Sequence, residues 1–143
     1  MVQNQRGLTL IEVLASLTIL SIVGILIWQV YFQGMNYSAT SISKNNMQQE
    51  ATLLTAKLTK IHQTSEVYEL SNSACSITVS YTKQGTVNVE EFKDPEMCFE
   101  LDFTGEVEPD LIDLPLKLTI YDPSNAENRI VQDTFLYRLK GDS

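Results

Sequence analysis

Few residues in this chain have types and spacings that could do chemistry. Glu12 is the only residue between Leu8 and Phe32 charged at neutral pH, in a run otherwise mainly of Leu, Ile, Val, Ala and Trp with scattered Ser, Thr and Gln, Gly24 and Tyr31. A carboxylate is costly in such surroundings, by roughly 2.5–3.5 kcal/mol at the centre of a membrane and less near its edge. It therefore needs a partner or a purpose. Cys75 and Cys98 are too far apart for a CxxC redox motif, and His62 is the sole histidine, so a zinc site is not expected. If the polar part lies outside the cell, a disulfide is the favoured use of the two cysteines. The alternative is a pair of buried free thiols packing as small apolar groups. Glu106, Glu108, Asp110 and Asp113 offer hard oxygen ligands, but their spacing matches no defined Ca²⁺ site, and a solvated acidic loop is the better reading. There is no glycine-rich phosphate loop and no recognisable Ser/His/Asp grouping. Neither a catalytic residue, a cofactor nor a metal is expected.

The elements that must position Glu12 come next. A run of about 20 apolar residues is long enough to cross the hydrocarbon core as a helix. Met1–Gly7 is short and polar with one positive charge, Arg6, and no basic residue follows the run until Lys44. The positive-inside rule then keeps the N-terminus cytoplasmic and places the remainder outside. A secretory signal would have a shorter apolar region followed by a small-x-small cleavage site. This run instead leaves through Trp28-Gln29-Val30-Tyr31-Phe32. In its plainest form the segment is a signal anchor holding an external domain that binds something and never polymerises.

The residues themselves say more. Gly7-Leu8-Thr9-Leu10-Ile11-Glu12-Val13-Leu14, in front of a membrane-length run, closely resembles the processing motif of type IV pilins and of the pseudopilins of type II secretion and competence systems. The resemblance is strong from Arg6 to about Phe32 and much weaker beyond. It implies that a prepilin peptidase cuts after Gly7 and methylates the new N-terminal residue, Leu8, where most members have phenylalanine. Glu12 falls on the family's glutamate, which is thought to meet the N-terminal amine of a neighbouring subunit. Pairing the two charges in a low-dielectric core offsets much of the desolvation cost each bears alone, and it fixes helix register. Many pilins have a proline in the later half of this segment. Here none precedes Pro95, so a straighter helix, or a break near Gly24 or Gly34, is expected.

Beyond the run, Asn36–Asn46 is rich in weak helix formers. Helical periodicity then returns with Met47, Ala51, Leu54, Leu58 and Ile61, a one-sided stripe. The reading is one long helix from about Thr9 to Ser65, loosened around Ser38–Asn46, with His62 exposed or half-buried beside the stripe. Strand alternation follows. Ile77, Val79 and Tyr81 share a face, Lys83-Gln84-Gly85 turns the chain, and Thr86–Phe92 returns as a hairpin arm. Met97–Phe103, Leu114–Tyr121 and Ile130–Leu139 bring the count to about five strands, separated by Gly105–Asp113 and Asp122–Asn128. The expected fold class is α+β. The second half of a long N-terminal helix, whose first half is transmembrane, packs on an antiparallel sheet of about four to five strands. This agrees with the fold the resemblance implies. The domain reading is a leader over residues 1–7, a transmembrane and filament-core helix over 8–32, and an extracellular head over 33–143.

The chain has 143 residues and a formal net charge of −8. An acidic surface repels phosphate, and no basic patch is visible, Lys57 and Lys60 being the closest pair at helical spacing, so direct nucleic-acid binding is not expected. The resemblance implies a structural subunit whose partners are a prepilin peptidase, other major and minor pilins or pseudopilins, an assembly platform, and membrane lipid before assembly. The layout resembles that of the larger minor pseudopilins. The implied location is a single-pass cell-membrane protein with its head outside the cytoplasm, and the cell surface or filament after assembly.

Overall fold

A computed structural model describes Gly7 and residues 9–139. Among these residues the chain forms one helix and seven strands. The chain divides into two units, one ending at Ser41 and one beginning at Ile42.

Helix α1 runs Leu10–Thr64. It starts at Thr9, whose carbonyl accepts from the Glu12 and Val13 amides at 3.0 and 3.2 Å. It ends where the Ser65 amide bonds the Ile61 carbonyl at 2.9 Å. Neither Gly24, Gly34 nor the Ser/Thr/Asn-rich stretch interrupts it, because propensity differences of tenths of a kcal/mol are easily outweighed. In the first unit every described residue through Thr40 is exposed. This segment meets the length and composition expected of a membrane span.

The second unit holds the core. α1 contributes Met47, Ala51, Leu54, Leu58 and Ile61, all buried, and His62, which is buried as well rather than half-exposed. The strands are β1 Val67–Ser73, β2 Ser76–Lys83, β3 Thr86–Phe92, β4 Cys98–Leu101, β5 Gly105–Val107, β6 Leu114–Asp122 and β7 Asn125–Leu136. They form two antiparallel sheets rather than one, ordered β3-β2-β1-β5 and β4-β6-β7. Tyr68, Leu70, Ile77 and Val79 from the first sheet join Phe99, Leu101, Leu118, Ile120 and Leu136 from the second in a single apolar cluster with the helix stripe. The fold is thus α+β and pilin-like, with β1 and β5 as additions to the expected strands.

Local chemistry explains the turns. Lys83 pairs with Thr86 across Gln84 and Gly85, both at positive φ (52° and 76°), the signature of a two-residue type I′ hairpin. Asp122 opens the β6–β7 turn, its Oδ1 accepting from the Ser124 amide at 2.8 Å and from the Ser124 hydroxyl.

The two sheets are stitched at one corner. Cys75, in the β1–β2 turn rather than on a strand, is joined to Cys98 at the start of β4 by a disulfide. The Phe99 amide donates to the Cys75 carbonyl at 3.3 Å. Asn72 at the end of β1 then acts as a surrogate strand residue. Its Nδ2 donates to the Leu101 carbonyl at 2.8 Å, and its Oδ1 accepts from the Leu101 amide at 3.1 Å.

Candidate processing and assembly segment

Gly7 is exposed, and a Cβ built on it would meet nothing within 4 Å. Arg6 and Leu8 lie outside the described residues. Glu12 stands in the first turn of α1, where the partial positive charge of the helix N-terminus favours a carboxylate. It is exposed, and among the described residues its side chain has no hydrogen-bond or ion-pair partner.

From Leu10 to Phe32 the helix presents apolar side chains on all sides. Leu10, Ile11, Leu14, Leu17, Leu20 and Ile25 are each more than half exposed. A contiguous apolar surface of this extent is rare on a soluble protein and marks contact with lipid or another chain. The hydroxyls on the segment are satisfied internally: Ser16, Thr18 and Ser21 each donate to the carbonyl four residues earlier at 2.8 Å. Such back-bonding removes the cost of carrying an unpaired hydroxyl into hydrocarbon. Leu10 to Phe32 is about 34 Å of helix at 1.5 Å per residue, against a hydrocarbon core of about 30 Å.

An aromatic group closes the span. Trp28 and Phe32 pack with ring centroids 5.0 Å apart, and Tyr31 meets Phe32 edge-on at 6.2 Å. Trp and Tyr concentrate at the membrane–water boundary, where an amphipathic ring is wet at one end and apolar at the other. Sequence reading treated these residues only as a poor cleavage site. Their spacing at i, i+3 and i+4 at the end of an apolar run was the available signal.

The remaining candidates lie in the second unit. Among the described residues no group of three or more His, Cys, Asp and Glu is placed to hold a metal. In the acidic segment, Asp110 is engaged by Arg138, Oδ1 to Nη1 at 3.1 Å, and the same guanidinium donates to the Ser65 carbonyl at 3.1 Å. His62 Nδ1 lies 2.8 Å from Tyr68 Oη. Burial holds the imidazole below its ordinary pKa; nearby Asp113 works in the opposite direction and Arg138 adds to the lowering. Burial pushes the Tyr68 phenol well above its ordinary value, so Tyr68 stays protonated beside the ring. Both side chains of this pair are buried in the core.

A family model described as the prokaryotic N-terminal methylation motif matches residues 2–28. No curated protein and no solved structure matches the chain. The matched residues contain the expected cut, Glu12 and most of the exposed apolar helix. The motif implies processing by prepilin peptidase and assembly with other pilins, and it points to a structural rather than enzymatic subunit anchored by its apolar helix. The chain carries the type IV pilin and pseudopilin signature at residues 2–28, ahead of an α+β pilin-like fold.

Proposed function

We propose that this chain is a minor pilin or pseudopilin, cleaved after Gly7, N-methylated on Leu8 and drawn from the membrane into a type IV pilus-like filament. The observation that carries the reading is the methylation motif at residues 2–28, leading into a helix whose residues 10–40 are all exposed. The precursor crosses the membrane once with its head outside, a compartment that suits the Cys75–Cys98 disulfide. On assembly the same helix exchanges lipid for neighbouring helices, and Glu12 meets the methylated amine of a neighbouring Leu8. The partners are the prepilin peptidase, the assembly platform and other subunits of the filament. The preference for a minor over an abundant subunit rests on layout, and the presence of Glu12 lets the subunit sit within a stack. Service to secretion, DNA uptake or pilus biogenesis would follow from the machine it joins.

Mass spectrometry of the mature N-terminus in cells carrying the peptidase tests this reading. A chain starting at N-methyl-Leu8 is expected. An intact Met1, or a cut near Phe32, would instead make it a non-polymerising anchored binding module.

A further inference from the structure

The structure gathers a basic groove that the linear sequence hides. Lys57 and Lys60 on α1 are joined by Lys83 from the end of β2, around a groove of about 270 Å³ whose walls include Ile61 and Tyr81. The one carboxylate lining it, Glu90, is already engaged. It accepts from Tyr81 Oη at 2.9 Å and lies 4.0 Å from Lys57 Nζ. Among the described residues Lys60 and Lys83 have no carboxylate within ion-pair distance. In a chain of net charge −8, three lysines facing one partly apolar groove are a local inversion of sign.

The complement lies on the same molecule. The segment after β5 reads Glu108-Pro109-Asp110-Leu111-Ile112-Asp113, and it holds Leu111 at 71% and Ile112 at 48% exposure. Two adjacent exposed aliphatics flanked by acids match an apolar groove edged by lysines. Asp110 is occupied by Arg138, while Glu108 and Asp113 have no cation within ion-pair distance among the described residues. Within one copy no ion pair joins Glu108 or Asp113 to Lys57, Lys60 or Lys83 among the described residues. The strand order β3-β2-β1-β5 puts the groove at one edge of the sheet and the acidic segment past the other. Two strand spacings, about 10 Å, separate β2, which carries Lys83, from β5.

We infer that the Lys57/Lys60/Lys83 groove receives the Glu108–Asp113 segment of a second copy of this chain. The contact joins two different patches, so it does not close on itself as a two-fold dimer does. Repeated, it generates an open helical array. It extends the filament reading to a specific contact between heads, but it does not depend on processing of the N-terminus.

The test uses full-length chain in detergent micelles, one population ¹⁵N-labelled and one unlabelled, joined by a zero-length carbodiimide. Mixed-isotope amide links between Lys60 or Lys83 and Glu108 or Asp113 are expected. The pair Lys60→Glu/Lys83→Glu removes the reacting amines and should abolish these links, so the recovery on mixing charge-reversed variants is what reports the contact. Glu108→Lys/Asp113→Lys should do the same, and mixing the two variants should restore linkage. Unchanged melting temperatures exclude misfolding of the variants. Links confined to one copy, links from the lysines to some other segment, or failure of the mixed variants to recover would overturn the contact. A chain that matures to N-methyl-Leu8 and gives no such links would remove this inference and leave the filament reading standing.

Discussion

His62 carries a pH dependence that can be read from its surroundings. Its Nδ1 lies 2.8 Å from Tyr68 Oη, and its Nε2 is buried without a partner among the described residues. Protonation would place a charge on a buried ring that meets Tyr68 edge-on. Because the folded pKa is lowered by burial, the unfolded chain binds more protons than the native one just below the ordinary value of about 6.5. The contribution is complete above that value and is lost as pH falls through it. Melting temperature should therefore decline between about pH 7.5 and 5.5, and His62→Gln, which keeps an acceptor for Tyr68, should be flat over that interval. Equal slopes for the two proteins would assign the dependence elsewhere. Glu12 poses the opposite problem, a charge whose partner is supplied only by assembly. Glu12→Gln keeps the volume and removes the charge. Fractionation should find the variant in the membrane at the parental level but depleted from sheared filaments, and normal incorporation would refute the proposed pairing.

At the scale of elements, the corner joining the two sheets is where long-range order is concentrated. Asn72→Ala leaves the Leu101 amide and carbonyl without partners in a half-buried setting, at a cost of about 1–3 kcal/mol in denaturant unfolding. Removing the disulfide as Cys75→Ser/Cys98→Ser, a crosslink of sequence separation 23, should cost about 2–4 kcal/mol. The two changes act on the same corner, so together they should depart from additivity. The β2–β3 turn gives a cleaner measurement. A Cβ at Gly85 would meet nothing within 4 Å, so Gly85→Ala reports backbone conformation alone and should destabilise by about 1 kcal/mol. This hairpin was legible in the sequence because alternation on both arms and the glycine turn agree. So was the Met47–Ile61 stripe, every member of which is buried. β1 was not, because Glu69, Ser71, Asn72 and Ser73 dilute its two buried residues, Tyr68 and Leu70. Nor was β5, three residues that are strand only because β1 pairs with them. The split into two sheets, the burial of His62 and the role of Asn72 depend on pairings about 30 residues or more apart in some cases, which local periodicity does not encode.

For the whole molecule, the division of labour between the two units predicts how they behave apart. Every residue of the buried core falls between Met47 and Leu136, and none comes from the segment ending at Ser41. The first unit therefore adds an exposed apolar helix without adding to the packing that stabilises the second. A chain beginning at Ile42 should fold, remain in the aqueous phase on detergent phase separation, and melt within a few degrees of the full-length protein, which should partition into the detergent. The point of truncation matters, because Asn128 Nδ2 donates to Ser43 Oγ at 2.9 Å while Asn128 Oδ1 is already buried without a partner. Starting at Met47 instead removes that acceptor from a largely buried amide, a loss of about 1 kcal/mol. Calorimetry on the two truncations decides. Equal melting temperatures would mean that the Ser43–Asn128 bond contributes nothing. A chain from Ile42 that fails to fold would show that the apolar helix stabilises the head as well as anchoring it.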